Sequence, residues 1–315
     1  MPDRPTNGAA EDARKLRRRF RKGVFIIPSL LTTGNIFCGF YSIMESMAGI
    51  RSLAFAEVAK ATEHFDRAAV VIGFAALFDL LDGRIARMTN ATSEFGLELD
   101  SIADVVSFGM APAVLAFAWG YGQDPDLHNV GWAASFLFLI CGALRLARFN
   151  VQARQPKPNY PPKNPKIDKK AFVGLPIPFA ALLIASIAHF SPTPVGYSIA
   201  NVDLGLMNRS VTIDGRIFGI GLLVLVVSLA FLMVSTMRYS SFKNVGVRNY
   251  HPRLVIIALA VVVLAIWFWS RWTVLIISIF YASQGPVSKL WSLVRPRRGV
   301  GDVSGEDTSL NPHKL

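Results

Sequence analysis

RAAVVIGFAALFDLLDGRIARM (residues 67–88) is followed, after a short polar stretch, by FGLELDSIADVVSFGMAPAVLAFAW (residues 95–119). Each segment is apolar over roughly twenty residues, enough to cross the ~30 Å hydrocarbon core of a bilayer as a helix. Each is also interrupted by acids: Asp79 and Asp82 in the first, Asp100 and Asp104 in the second. Ionisable side chains inside membrane helices are costly and mark functional sites by default. Fold and chemistry are therefore read from the same stretch.

Working outward, comparable apolar runs recur near residues 24–46, 131–150, 172–190, 216–236, 253–270 and 272–291. With the quoted pair they predict eight spans, the last two divided only by Ser270 and Arg271. The composition agrees, with 52% hydrophobic and 17% charged residues and a mean hydropathy of +0.40. A soluble domain would need polar helix faces that most of these segments lack. The expected fold class is all-α: a polytopic integral membrane helical bundle with about eight transmembrane helices. The first run is too long for a signal peptide, and no small-residue cleavage site follows it.

Lys and Arg number 33 against 21 Asp and Glu, a net charge of +12. The excess sits in short segments between apolar runs, which argues for membrane topology and anionic lipid rather than nucleic acid. Basic residues crowd the stretch from Arg14 to Lys22, which is expected to lie on a membrane surface as a short helix. They recur in the Pro- and Lys-rich loop 151–170, at Arg238, Lys243 and Arg248, and at Arg295, Arg297 and Arg298. The loop 120–130 instead carries Asp124 and Asp126 and no Lys or Arg. This alternation predicts eight spans with both termini in the cytoplasm. The first outer loop departs from it, with Arg51, Lys60 and Arg67 offset by Glu57, Glu63 and Asp66. Cys38 and Cys141 lie far apart within apolar runs, and the five histidines show no ligand spacing. Neither a disulfide framework nor a zinc site is expected.

On a helix, Asp79, Asp82, Gly83, Ala86 and Arg87 share one face. Asp100 and Asp104 share a face of the next helix, with Gly96 one turn before them. The short loop between makes the helices antiparallel, so the four acids can meet in one cavity. Asp82 would lie ~8 Å and Asp104 ~15 Å in from the loop end, just below the lipid headgroups. A lone aspartate there reads equally well as a helix cap or an ion pair. Four together repel and must be neutralised. Hard oxygen donors without Cys or His point to Mg²⁺ or Mn²⁺, and a pair of ions suits displacement at phosphorus. Small residues admit a ligand close to the backbone, and Arg forks onto phosphate.

The string Asp79-x2-Asp82-Gly83-x2-Ala86-Arg87-x8-Gly96-x3-Asp100-x3-Asp104 resembles the signature of the CDP-alcohol phosphatidyltransferase family at every fixed position. The resemblance implies that Asp79, Asp82 and Asp100 hold the metals. It implies that Asp104 completes the metal site and acts as general base on the acceptor hydroxyl. Gly83, Ala86, Arg87 and Gly96 would accommodate CDP-diacylglycerol, with CMP released, and a homodimer is implied. It also divides the chain into a basic cytoplasmic segment 1–23, a catalytic membrane domain 24–190, additional transmembrane helices 191–291 and a cytoplasmic tail 292–315.

Three further segments resemble the branch of that family that uses serine as acceptor: Asp100 to Pro112, Arg145-Leu146-Ala147-Arg148-Phe149-Asn150 and Phe172-Val173-Gly174-Leu175-Pro176-Ile177-Pro178. Leu31-Thr32-Thr33-Gly34-Asn35 with Cys38-Gly39 is similar to it as well, and Asn35 is a candidate contact to CDP-diacylglycerol or to another helix. A serine site needs a cation for the α-carboxylate. Arg145 and Arg148 supply candidates, with Arg148 favoured, although arginine at a cytoplasmic helix end is also an ordinary anchor. The expected location is a bacterial cytoplasmic (inner) membrane, with the site facing the cytoplasm. Phosphatidylglycerophosphate and inositol-lipid synthesis are the alternatives within the family. Outside it stand an ion-coupled transporter and a non-catalytic lipid binder. Acids clustered near one surface, with no repeat, argue against the transporter. Retention of all four argues against the binder.

Overall fold

The computed structural model describes residues 7–89, 94–154, 171–197, 200–203, 210–213, 215–240 and 252–294. The expectations for the side chains of the basic stretch 14–22, for Ala86 and Arg87, for most of the loop 151–170, for Lys243 and Arg248 and for the tail lie outside the described residues.

The architecture is a helical bundle whose elements follow the apolar runs. Helix α1 runs Asn7–Ala54 without a break, so the basic stretch and the first span form one helix rather than two. Helix α2 runs Val58–Thr89 and packs antiparallel along α1. Their register is fixed by Ser42 Oγ donating to Ala68 O (2.9 Å) and by Thr32 Oγ1 donating to Asp82 Oδ2 (3.1 Å). The third long helix, Glu94–Tyr121, is 28 residues long and apolar enough to span a membrane. It comprises α3 (Glu94–Asp104), a π-helical turn (Val105–Met110), α4 (Ala111–Leu115) and a second π-helical turn (Ala116–Tyr121). Pro112 has no N–H to give the preceding turn, so the hydrogen-bond ladder is already interrupted where the first π turn meets α4.

Helix α5 runs His128–Arg154 and returns beside α3. Asn150 Nδ2 donates to Ser101 Oγ (2.7 Å), and Arg154 pairs with Glu98. Helix α6 runs Ile177–Phe190 and α7 Gly215–Val234. The segment expected as a fifth span from 172 therefore becomes helical only at Ile177. Residues Ala171–Val173 form strand β1, paired antiparallel with β4, Arg238–Ser240. Between them and α6, Gly174 adopts φ +81°, and any Cβ there would sit 2.3 Å from Met233 O. A second ribbon pairs β2 (Ala200–Asp203) with β3 (Ser210–Ile213). The bundle is helical, and these two ribbons are its departures from the all-α expectation.

Helix α8, Pro252–Val294, carries both expected final spans. Trp269, with φ −136° and ψ 50°, breaks it next to the expected divide at Ser270 and Arg271. Thr273 Oγ1 donates to Ala265 O at 3.0 Å, whereas in a straight helix eight residues rise ~12 Å. The chain therefore reverses sharply here. Its second half returns along α6, through Phe190 against Trp272 and Phe179 stacked on Tyr281. At the reversal His189 Nδ1 lies 2.6 Å from Asp66 Oδ1, and its Nε2 lies 2.9 Å from Ser270 Oγ. One imidazole thus ties α2, α6 and α8 together.

Among the described residues, Glu94–Tyr121, His128–Gln152 and Gly215–Val234 are long and apolar enough to cross a membrane. Helix α2 is longer, but its apolar run contains Asp79 and Asp82. Large apolar side chains such as Phe37, Leu80, Ile102, Trp132 and Phe231 point outward. That is the expected surface of a bundle solvated by lipid rather than water.

Candidate active site

The acidic cluster is assembled by three helices. The antiparallel packing of α1 and α2 brings Thr32 to Asp82, and α3 lies against α1. Close approach of α1 to the π turn after α3 depends on Gly39, where a Cβ would meet the Ser107 Cα at 2.7 Å. Ser107 Oγ then donates to Asn35 O at 2.8 Å. These contacts hold α3 in register, with Asp100 facing α2.

Asp79, Asp82 and Asp100 each offer a carboxylate oxygen, and the three lie within 4.8 Å of one another. An ion bound at ~2.1–2.4 Å needs donor oxygens no more than about 4.2–4.8 Å apart. The donor set is hard oxygen throughout, so the residues fit a divalent cation of the Mg²⁺ class. Asp82 is 4% exposed. Its bond from Thr32 fixes the carboxylate and leaves lone pairs for a ligand.

Asp104 stands one turn further along α3. It lies beside the three-oxygen group rather than in it, within electrostatic reach of Asp79, Asp82, Asp100 and Arg145. Its Oδ1 is buried and has no hydrogen-bond partner among the described residues. The first π turn begins at the next residue, a distortion common at functional sites. Asn35 is wholly buried, and neither amide atom has a partner among the described residues. It sits one turn from Thr32 on α1, so its amide belongs to the same face as the acidic cluster.

The two candidate arginines separate. Arg148 is exposed. Arg145 turns inward: its Nε is buried without a partner among the described residues, and its charge is felt by Asp104 and by Tyr281 of α8. Gly83 and Gly96 are half-buried at the ends of α2 and α3 nearest the cluster. Thr32, Tyr281 and Gln284 were not marked as site residues by the sequence. Thr32 had a signal, since it lies three residues before Asn35. The other two had none, because nothing in the sequence places α8 beside α5.

The arrangement combines three carboxylates spaced to fit a cation, a fourth buried carboxylate beside them, and an inward-facing guanidinium. Comparison with known proteins agrees with this chemistry. Residues 25–213 match the family model described as CDP-alcohol phosphatidyltransferase. A Helicobacter pylori protein named CDP-diacylglycerol–serine O-phosphatidyltransferase is 33% identical over 223 residues, 70% of this chain and 75% of its own. A Bacillus subtilis protein of the same name is 31% identical over 225 residues, 71% of this chain and 94% of its own. A Saccharomyces cerevisiae protein, also so named, is 41% identical over 160 residues, 50% of this chain and 52% of its own.

Proposed function

Because the chain belongs to the CDP-alcohol phosphatidyltransferase family, we propose that it transfers the phosphatidyl group of CDP-diacylglycerol to the hydroxyl of L-serine, forming phosphatidylserine and CMP. The observation that carries this reading is the convergence of Asp79, Asp82 and Asp100 beside a buried Asp104 whose Oδ1 is unpartnered. Names of relatives from bacteria and yeast support serine as the acceptor.

Asp79, Asp82 and Asp100 would hold Mg²⁺ or Mn²⁺, two ions by family resemblance, and the metal would supply neutralisation of charge on the phosphate oxygens and the departing CMP. Gly83, Ala86 and Gly96 leave room for the nucleotide, Arg87 meets its phosphates, and Asn35 offers its amide to the same substrate. Arg145 takes the serine carboxylate in preference to the exposed Arg148. The serine hydroxyl attacks the phosphorus bearing diacylglycerol as its proton passes to Asp104 Oδ1. The bond from that phosphorus to the CMP oxygen breaks, and CMP leaves. Asp104 and Arg145 lie within electrostatic reach of one another, so positioning would contribute alongside basicity.

The protein is an integral membrane protein. The alternating basic loops support both termini and the site on the cytoplasmic side of a bacterial inner membrane. Family resemblance supports a homodimer, and a catalytic core at 24–190 followed by added helices. A panel of labelled alcohols with CDP-diacylglycerol, read by CMP release from purified protein, tests the assignment. Serine should be used in preference. Preferred use of glycerol 3-phosphate or inositol would remove serine and leave the family reaction.

A further inference from the structure

Among the described residues, three side-chain atoms besides those of Asn35 are buried and unpartnered: Asp104 Oδ1 on α3, Arg145 Nε on α5 and Gln284 Oε1 on α8. Buried polar atoms are normally bonded, and an unfilled one is costly, so a group of them marks a place where a ligand or ordered water belongs. Two of them interact directly, and the third lies one helical turn from a residue that interacts with one of them. Asp104 and Arg145 feel one another's charge, as do Arg145 and Tyr281. Gln284 follows Tyr281 by three residues, on the same face of α8. Tyr281 is itself fixed by stacking on Phe179 at a ring separation of 3.6 Å, which sets the rotation of α8 against the bundle. Helix α8 lies outside residues 25–213, the part that matches the family.

We propose that α8 completes the acceptor pocket, and that the side-chain carbonyl of Gln284 receives the ammonium group of an amino-acid acceptor. This rests on the phosphatidyl-transfer reading above and adds the specificity element. The three open valences match the three polar groups of serine one for one. Arg145 offers a donor for the α-carboxylate, Asp104 an acceptor for the hydroxyl proton, and Gln284 an acceptor for the α-ammonium. A phosphorylated alcohol or a polyol has no ammonium to bring to Gln284. A site that hydrogen-bonds one substrate group discriminates strongly against analogues lacking it. The added C-terminal helices thereby acquire a role in acceptor choice.

The test uses the full-length protein purified in detergent. Serine and CDP-diacylglycerol KM values are measured, with inhibition by 3-hydroxypropionate (serine without its ammonium) and ethanolamine (serine without its carboxylate). Gln284→Leu should raise the serine KM by about tenfold or more, with the CDP-diacylglycerol KM unchanged. It should leave 3-hydroxypropionate inhibition as in the wild type, since that compound never used the carbonyl. Gln284→Glu keeps an acceptor and should bind serine at least as tightly as wild type. It carries the test if the leucine variant does not fold. An unchanged serine KM in Gln284→Leu, equal weakening of serine and 3-hydroxypropionate, or a raised serine KM in Gln284→Glu would each overturn the proposal. A wild-type enzyme that ignores serine defeats the underlying reading instead, and is recognised without any variant.

Discussion

Helix α2 carries ionisable groups partly or wholly withdrawn from solvent at both ends of its packed length, and the two sets are built differently. Near its start, His64 Nδ1 lies 2.6 Å from Glu45 Oε2, and Asp66 holds His189, which in turn meets Ser270. Thirteen residues on, ~20 Å along the helix, Asp79 and Asp82 gather with a third acid, Asp100. Donor meets acceptor in the first set, and the protein completes the contact by itself. In the second, carboxylates gather around one point, Asp82 also accepting from Thr32, and a bound cation would neutralise them. Among the described residues, Asp104 Oδ1, Arg145 Nε, both amide atoms of Asn35 and Gln284 Oε1 are buried without a partner, and none of them belongs to the first set. Self-completed polar groups make architecture. Incomplete ones make a site.

The contrast predicts unequal consequences for similar substitutions. Asp79→Asn, Asp82→Asn or Asp100→Asn should abolish CMP release, and EDTA should do the same to the unmodified protein, with Mg²⁺ or Mn²⁺ restoring it. Full activity in chelator would remove the cation from the site. Asp104→Asn should lower turnover by about 10² or more while CDP-diacylglycerol still binds, because a proton acceptor is lost and the three-oxygen group is kept. Near-normal turnover would take the base assignment away from Asp104. Thr32→Val removes the bond that orients Asp82 without touching the cation directly. It should weaken metal affinity by about 10- to 100-fold, measured as a higher Mg²⁺ requirement with recovery at saturating metal.

The four aspartate variants were nameable from the sequence alone, and the Thr32 variant was not. The four acids stand at fixed helical spacing across a short loop, so local periodicity was enough to bring them together. The apolar runs likewise foretold the helices. What was hidden depends on contacts between distant segments. The late start of α6 follows from β1 pairing with β4 and from the positive φ of Gly174, neither of which a hydropathy run records. The π turns after Asp104 lie in a segment that reads as an ordinary apolar helix. Arg145 and Arg148 look alike in sequence because both lie near the end of α5. Only the packing of α3 and α8 turns one inward and leaves the other exposed. Thr32 and Gln284 gain their meaning the same way, from helices brought beside them.

The smallest effect on chemistry is expected at the self-completed end, and it is the sharper half of the comparison. His189 bridges an acid on α2 and a hydroxyl at the reversal of α8, so it has the partners of a catalytic histidine. Its place argues for a clamp. It lies at the far end of the bundle from Asp82, and Trp269 beside Ser270 carries the backbone break that the clamp secures. Substitution by Ala removes both hydrogen bonds and strands a half-buried Asp66 carboxylate, a cost of about 1–3 kcal/mol. His189→Ala should therefore lower the thermal inactivation temperature in detergent. Its initial-rate kcat and its KM values for serine and CDP-diacylglycerol, measured well below that temperature, should stay at wild-type values. His189→Gln can still reach one partner and should recover part of the lost stability. A fall in kcat with no loss of stability would reverse the assignment, and would show that the two ends of α2 act on one reaction.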